Sequence, residues 1–355
     1  MPQSNRFLRT VMLVLALTII GVAIACNGGG GGGTVKLQGA GATYPNPLYQ
    51  KWISEYGKLN PNIRIDYQSI GSGGGQKQIK ERTVDFGASD SFVSDQDLKN
   101  MPDLLHVPMV LGAVVITYNL PGLSQPLRFS PDVAADIFLG KIKKWDDARI
   151  KADNPGVSLP AADITVVHRS DGSGTTGVWV DYLSKISAEW KEKVGAGVSV
   201  NWPVGIGGKG NEGVTGQVKQ TPNTIGYVEL IYALQNNLPV ALIKNRSGKF
   251  IPASLESVTS AADGALQNTP DDLRVSITDS PGPNAYPVSS YTYILVYKEQ
   301  TDAAKGKALV DYLWWCIHDG EKFTGDLKYA PLPDEIVKRA EAKINSITSG
   351  GRPLR

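Results

Sequence analysis

Short apolar runs that give way to helical ones dominate the first half of the chain: "VKLQGAG" leads into "NPLYQKWISEYGKL", "IRIDYQSI" passes through "GSGGG" into "QKQIKERT", and "VDFGASD" leads into "SDQDLKNM". Apolar stretches of two periods, alternating in this way, predict an α/β architecture with a mixed or parallel sheet covered by helices. Farther on, "LLHVPMVLGAVVITYN" and "YPVSSYTYILVYK" read as long apolar strands, the second followed by the helical "KGKALVDYLWWCIHDGEKF". Two long strands so far apart in sequence can carry the chain out of a first lobe and back into it, splitting one domain around another with a cleft between them. With 355 residues, 41% of them hydrophobic, the chain has the material for two domains.

The N-terminus points to export. Arg6 and Arg9 precede an apolar run over residues 11–25, short for a bilayer span and suited to a secretory signal. The run ends in "AIAC", which resembles a bacterial lipobox and would make Cys26 the lipid-modified first residue of the mature protein, although Ala23 stands where that pattern most often has leucine. The glycines of residues 28–33 read as a flexible tether.

Cleavage before Cys26 removes two of the 36 basic residues and no acid, leaving 34 against 34. That balance, with no basic stripe, supplies no phosphate-neutralising term for nucleic acid or an acidic membrane surface. The other cysteine, Cys316, lies in "YLWWCIHDG" and reads as a buried helical position, so an acylated Cys26 leaves no intrachain disulfide. His106, His168 and His318 fall in no ligand-spaced motif, and neither a metal nor another cofactor is expected.

Three strand-to-helix junctions, "GAGATYPNP", "GSGGGQKQ" and "HRSDGSGTTG", place small residues where the first turn of a helix leaves backbone N–H groups unpaired, positions from which an anion can be held. Hydroxyls on Thr43, Ser72, Ser173 and Thr175 add donors. Capping and turn geometry account for any one such loop; three in one chain, one with an arginine, point to anion binding. Arg169 offers a planar fork matched to two oxygens of phosphate or sulfate, and Asp171, two residues on, suits a salt bridge that orients it. Asp90 closes "VDFGASD", where an isolated aspartate would cap the next helix.

Competing motifs fit less well. "GIGGKG" at residues 205–210 matches G-x-G-x-x-G with Glu229 at the distance of a ribose-binding acid, but "NWP" directly precedes it where a strand is required. No P-loop and no G-x-S-x-G elbow is present. His168, ending a strand beside Arg169, reads as a packing or surface position.

Taken together, "GAGATYPNPLYQKW", "IGSGGGQKQI", "VDFGASD", "LGKIKKWDD", "HRSDGSGTT", "GGKGNEGV" and "IGYVE" resemble the phosphate-binding proteins of the bacterial high-affinity phosphate importers, in matching order from about residue 34 to about residue 337. The resemblance implies a two-lobed, type II-like periplasmic-binding-protein fold, with a first lobe of residues 34–116 and 287–355 and a second of residues 117–286. It implies a monomeric receptor without catalysis, periplasmic or cell-surface and anchored through Cys26, that closes on inorganic phosphate and delivers it to an ABC permease and its ATPase. Carried over by position, Thr43, the backbone of Tyr44 (phenylalanine in many relatives), Ser72 and Asp90 would hold phosphate from the first lobe. Arg169, Ser173, the backbone of Gly174, and Thr175 would close from the second, with Asp171 fixing Arg169; His168 has no assigned part. Asp90 would discriminate, because phosphate keeps a proton at neutral pH and sulfate has none to offer a buried carboxylate. The rivals are a receptor for sulfate or molybdate and a secreted phosphatase with Ser173 or Ser72 as nucleophile, for which the sequence offers neither a metal cluster nor an activating base.

Overall fold

The apolar runs become strands β1 (Val35–Gly41), β2 (Ile63–Ser69), β3 (Phe86–Ser89), β4 (Leu104–Asn119), β5 (Arg128–Phe129), β6 (Thr165–Arg169), β7 (Ile206–Gly208), β8 (Thr224–Glu229), β9 (Leu242–Lys244), β10 (Phe250–Ile251) and β11 (Ser289–Tyr297). The computed structural model describes residues 33–123 and 125–355; the signal sequence, Cys26 and all but the last glycine of the tether lie outside the described residues. Eight strands form one mixed sheet in the order β2-β1-β3-β11-β4-β8-β6-β7, and β10-β9-β5 form a small second one. β1 runs parallel to β2 and β3, and β6 runs parallel to β8 and β7, while β4 and β11 are antiparallel to their neighbours.

β4 is the spine of this sheet, and its two halves have different partners. Residues 104–113 pair with β11, and Val114–Asn119 pair with β8. Only Leu105 and Asn119 of its 16 residues are not fully buried, because a strand with neighbours on both edges and cover on both faces needs apolar side chains at consecutive positions. The edge strand β2 instead alternates, with Arg64, Asp66 and Gln68 facing solvent around buried Ile65. The two long strands read from the sequence lie side by side, with a register slip between Thr292 and Tyr293 opposite Pro108. Proline has no N–H to give the ladder, and a bulge there absorbs the defect.

Helices cover the sheet along their apolar stripes. Helix Asn46–Leu59 buries Leu48, Tyr49, Trp52 and Tyr56, and Tyr56 packs 5.1 Å from Tyr312 of helix Ala303–Cys316. That second helix ends at Cys316, buried in its last turn, and the expected continuation to "GEKF" becomes a 3-10 turn. Helix Ser72–Lys80 starts inside the glycine run itself. Glycine is a poor helix former, but Gly75 lies so near β1 that a Cβ would sit 2.6 Å from the Cα of Gly41. The helix expected over "SDQDLKNM" is one turn, Asp95–Leu98, capped by Ser94, so Asp90 is not a helix cap.

Candidate functional site

The residues singled out by the sequence sit just beyond the C-terminal ends of β1, β2, β3 and β6, and tertiary structure brings them together. Open α/β sheets place binding crevices at that end of their strands. β6 delivers Arg169, whose backbone N–H donates to the Tyr227 hydroxyl at 3.1 Å; Tyr227 also pairs with Thr176 Oγ1 at 2.6 Å. The ring of Tyr227 is held by Trp179 and Trp202, so an aromatic cluster fixes the strand end that carries the arginine. His168 stacks on Trp202 at 4.9 Å, a packing position.

Arg169 is 3% exposed and already paired. Its Nε and Nη2 donate to the two oxygens of Asp171 at 2.8 and 2.6 Å, the fork-to-carboxylate geometry expected of the pair, and Nη1 donates to Thr175 Oγ1 at 3.3 Å. Asp171 also accepts the Gly210 N–H at 3.0 Å. Burial pushes the Asp171 carboxyl up, but the hydrogen bonds and charge of Arg169 outweigh it and leave the group below its ordinary range. Gly71, with φ of +86°, abuts this pair: a Cβ there would lie 2.5 Å from Asp171 Oδ2, so the turn before helix Ser72–Lys80 needs glycine for both conformation and room.

Ser173 caps helix Gly174–Ile186 by accepting the Thr176 N–H at 3.0 Å. The N–H groups of Gly174 and Thr175 belong to the first turn, which has no acceptor within the helix. Gly174 lies directly over Asp90, since a Cβ on it would come within 2.6 Å of Asp90 Oδ2 and would also collide with Ser72. Asp90 is 2% exposed. Its Oδ1 accepts from Thr292 Oγ1 at 2.9 Å, its Oδ2 from Ser72 Oγ at 3.3 Å, and its own N–H donates to Ser72 Oγ at 3.2 Å. Burial pushes the Asp90 carboxyl up to about 7, against the opposing pull of the Thr292 hydrogen bond, the Arg169 charge and Ser72.

Thr43 completes the group from the end of β1. Its Oγ1 accepts from Asn211 Nδ2 at 2.8 Å, and Asn211 Nδ2 also donates to Thr175 Oγ1 at 3.1 Å, so one amide links the first junction to the third. The Tyr232 hydroxyl donates to the Thr43 carbonyl at 2.6 Å, and the Tyr329 hydroxyl donates to the Tyr44 carbonyl at 2.6 Å. Tyr44 is fully buried, and its ring reaches β4, where a Cβ on Gly112 would be 2.5 Å from the Tyr44 hydroxyl; a glycine makes the room that a tyrosine needs in place of phenylalanine.

Asn211 and Thr292 are the polar contacts that sequence reasoning missed. Asn211 lies in "GIGGKGN": residues 201–205 form no strand, so the dinucleotide context fails as the sequence predicts, but β7 lies within the glycine run and helix Gly210–Gln220 follows it, which makes the segment a fourth strand-to-helix junction. Glu229, the acid paired with that motif in sequence, is buried at the end of β8 and caps helix Leu230–Gln235 through a 2.8 Å bond from the Ile231 N–H. Burial pushes its carboxyl well above the usual range. Thr292 carried no local signal, because a threonine in an apolar strand reads as β-propensity.

The arrangement gathers one buried guanidinium, one buried carboxylate, several hydroxyls and a helix N-terminus at one place. It is the equipment of a binding protein for an oxyanion. A family model described as a PBP superfamily domain matches residues 28–314, and the architecture is the periplasmic-binding-protein fold. A phosphate-binding protein PstS of Xylella fastidiosa is 46% identical over 310 residues, 87% of this chain and 85% of the relative. One of Pasteurella multocida is 46% identical over 321 residues, 90% and 93% of the two chains. A solved high-affinity periplasmic phosphate-binding protein, PfluDING, bound with phosphate, superposes with a TM-score of 0.70 over 89% of this chain and 97% of its own; at 21% identity it speaks for the fold. The chain belongs to the PstS family of phosphate-binding proteins.

Proposed function

We propose that the chain is an extracytoplasmic receptor that binds inorganic phosphate and hands it to an ABC transporter, with no catalysis of its own. The observation that carries this reading is the juxtaposition of Asp90 with Gly174 at a helix N-terminus, beside the Arg169–Asp171 pair: an acceptor for a ligand's proton stands among donors for its oxygens. The relatives in PstS are named as binding proteins, which supports a receptor over a phosphatase.

In this reading Thr43, the Tyr44 backbone, Ser72 and Asp90 form one jaw, and Arg169, Ser173, Gly174 and Thr175 form the other, with Asp171 holding the arginine. The change of partner along β4 at Ala113 and Val114 supports a lobe of residues 34–116 and 287–355 and a second of residues 117–286. The receptor works as a monomer, tethered through a lipid on Cys26, and meets the permease and ATPase at the membrane. No helix among the described residues is long and apolar enough to cross a membrane. Calorimetric titration with phosphate, arsenate, sulfate and molybdate tests the reading. Phosphate and arsenate, which keep a proton at neutral pH, should bind. A preference for sulfate or molybdate, or turnover of a chromogenic phosphate ester above that of a Ser173→Ala control, would replace it.

A further inference from the structure

Asp90 is approached from behind by β11. Tyr293 stands opposite Ser89 in the antiparallel pairing of β11 with β3, which places Thr292 opposite Asp90, the first residue beyond the end of β3. Ser290 and Thr292 are two residues apart and project from the same face. Ser290 Oγ donates to the Tyr291 carbonyl at 2.9 Å and lies 3.3 Å from the Asp90 backbone carbonyl, and Thr292 Oγ1 donates to Oδ1 at 2.9 Å. The register slip against Pro108 falls at this threonine, so the irregularity in the ladder is located where the side chain must be aimed. Thr292 is fully buried, out of reach of water that could replace it.

The two carboxylate oxygens therefore face different ways. Oδ1 points to β11 and Oδ2 to Gly174, across which the proposed ligand would lie. A threonine hydroxyl has a single proton. Given to Oδ1, it makes that oxygen an acceptor and fixes the plane of the carboxylate. Oδ2 receives only the longer 3.3 Å bond from Ser72 and keeps a lone pair for the ligand side.

We propose that Thr292 is a positioning residue for anion selectivity: by donating to Oδ1 it holds Asp90 as a hydrogen-bond acceptor with Oδ2 turned to the ligand, so that a protonated oxyanion is accepted and a fully deprotonated one is refused. This rests on the phosphate-receptor reading. Without the hydroxyl, burial acts with less opposition and the Asp90 carboxyl takes up a proton more readily. A protonated carboxyl donates, and a donor suits sulfate. Arg169 also faces Asp90 and favours its charged form, while the charge of Asp90 helps to raise Glu229, Tyr44, Tyr49, Tyr67 and Tyr329. Burial holds all four tyrosines above their ordinary range, so none of them gains charge between pH 7 and 9.

The test is calorimetric titration of phosphate and sulfate into wild type, Thr292→Val and Thr292→Ser at pH 7 and pH 9. Valine keeps the branched shape on a strand and removes the donor; serine restores it. At pH 7, where about half of the wild-type Asp90 is already protonated, the phosphate-over-sulfate ratio of Thr292→Val should fall by only about twofold, and Thr292→Ser should stay within about threefold of wild type at both pH values. At pH 9, where little of the wild-type Asp90 keeps its proton and the carboxyl of Thr292→Val holds its own more firmly, the gap should widen to about tenfold or more. Should Thr292→Val fail to fold, Thr292→Ala must show the same loss. A wild-type ratio in Thr292→Val at pH 9, or an equal loss in Thr292→Ser, overturns the proposal. A wild type that does not bind phosphate instead sinks the receptor reading itself.

Discussion

Replacing Asp90 with asparagine should make the ligand-free protein more stable at neutral and alkaline pH. The carboxyl is 2% exposed, and burial lifts it to about 7, whereas an unfolded aspartate titrates at about 3.9. The folded state thus holds the Asp90 proton more tightly than the unfolded state does. As pH rises from about 4 to about 7, the unfolded chain ionises first and folding loses stability. The loss is complete above about 7 and absent below about 4. At about 1.4 kcal/mol per unit over roughly three units, the cost of the buried charge is about 4 kcal/mol. Asparagine carries no charge, its carbonyl can still accept from Thr292, and Ser72 Oγ can accept from its amide, so most of that cost should be recovered. Denaturant unfolding of phosphate-stripped wild type and Asp90→Asn, from pH 4 to 8.5, reads this directly. The mutant should gain roughly 2–4 kcal/mol at pH 8, with the gain shrinking to nothing by pH 4. A difference independent of pH, or a mutant less stable at pH 8, would refute the reasoning. A residue that costs stability in the free protein is one retained for what it does when ligand is bound.

Other consequences are as direct. Asp171→Ala strips the fork from an arginine side chain that is 1% exposed, so phosphate affinity should fall by about 1–3 kcal/mol and by more in Arg169→Ala; purely additive losses in the double-mutant cycle would show that the pair does not act together. Gly174→Ala should fold, because alanine is the better helix former, yet bind phosphate about 100-fold more weakly, since its Cβ would come within 2.6 Å of Asp90 Oδ2; wild-type affinity by calorimetry would contradict the close approach. His106 is buried, accepts the Val93 N–H at Nε2 at 3.0 Å, and has its pKa pushed down to about 3 by burial. Its NMR shifts should stay those of a neutral ring down to pH 4.5, and titration near pH 6 would contradict this.

The α/β order, the helix-start junctions and the Arg169–Asp171 pair were legible because each depends on local chemistry, small residues at a helix start and a fork beside an acid, whereas the part given to Asp90 came from the family resemblance and not from its own segment. Contacts supplied by distant chain were not legible. Thr292 meets Asp90 across 202 positions and Asn211 meets Thr43 across 168, and neither residue type in its own segment differs from ordinary strand or turn chemistry. That "GIGGKG" is itself a strand-to-helix junction escaped the sequence reading because its strand, which lies inside the glycine run, is three residues long, too short for periodicity to register. Helix Ser72–Lys80 was read as starting late, since three glycines in a first turn argue against a helix until the nearness of β1 is known. Asp90 as a cap was a fair local reading, displaced by Ser94 once the following helix proved to be a single turn.

Sulfate affinity at pH 9, where Asp90 is ionised and phosphate still keeps a proton, measured by calorimetry on wild type and Asp90→Asn, bears most directly on the claim that a buried acceptor selects phosphate by its proton. In the wild type, phosphate should bind and sulfate should give no saturable heat, because its lone pairs would face a carboxylate oxygen with no proton between them. In Asp90→Asn the charge is gone and an amide N–H can donate to either anion, so sulfate affinity should rise by about 100-fold or more while phosphate changes much less. A wild type that binds sulfate as tightly as phosphate, or a mutant that keeps the wild-type preference, would contradict the account.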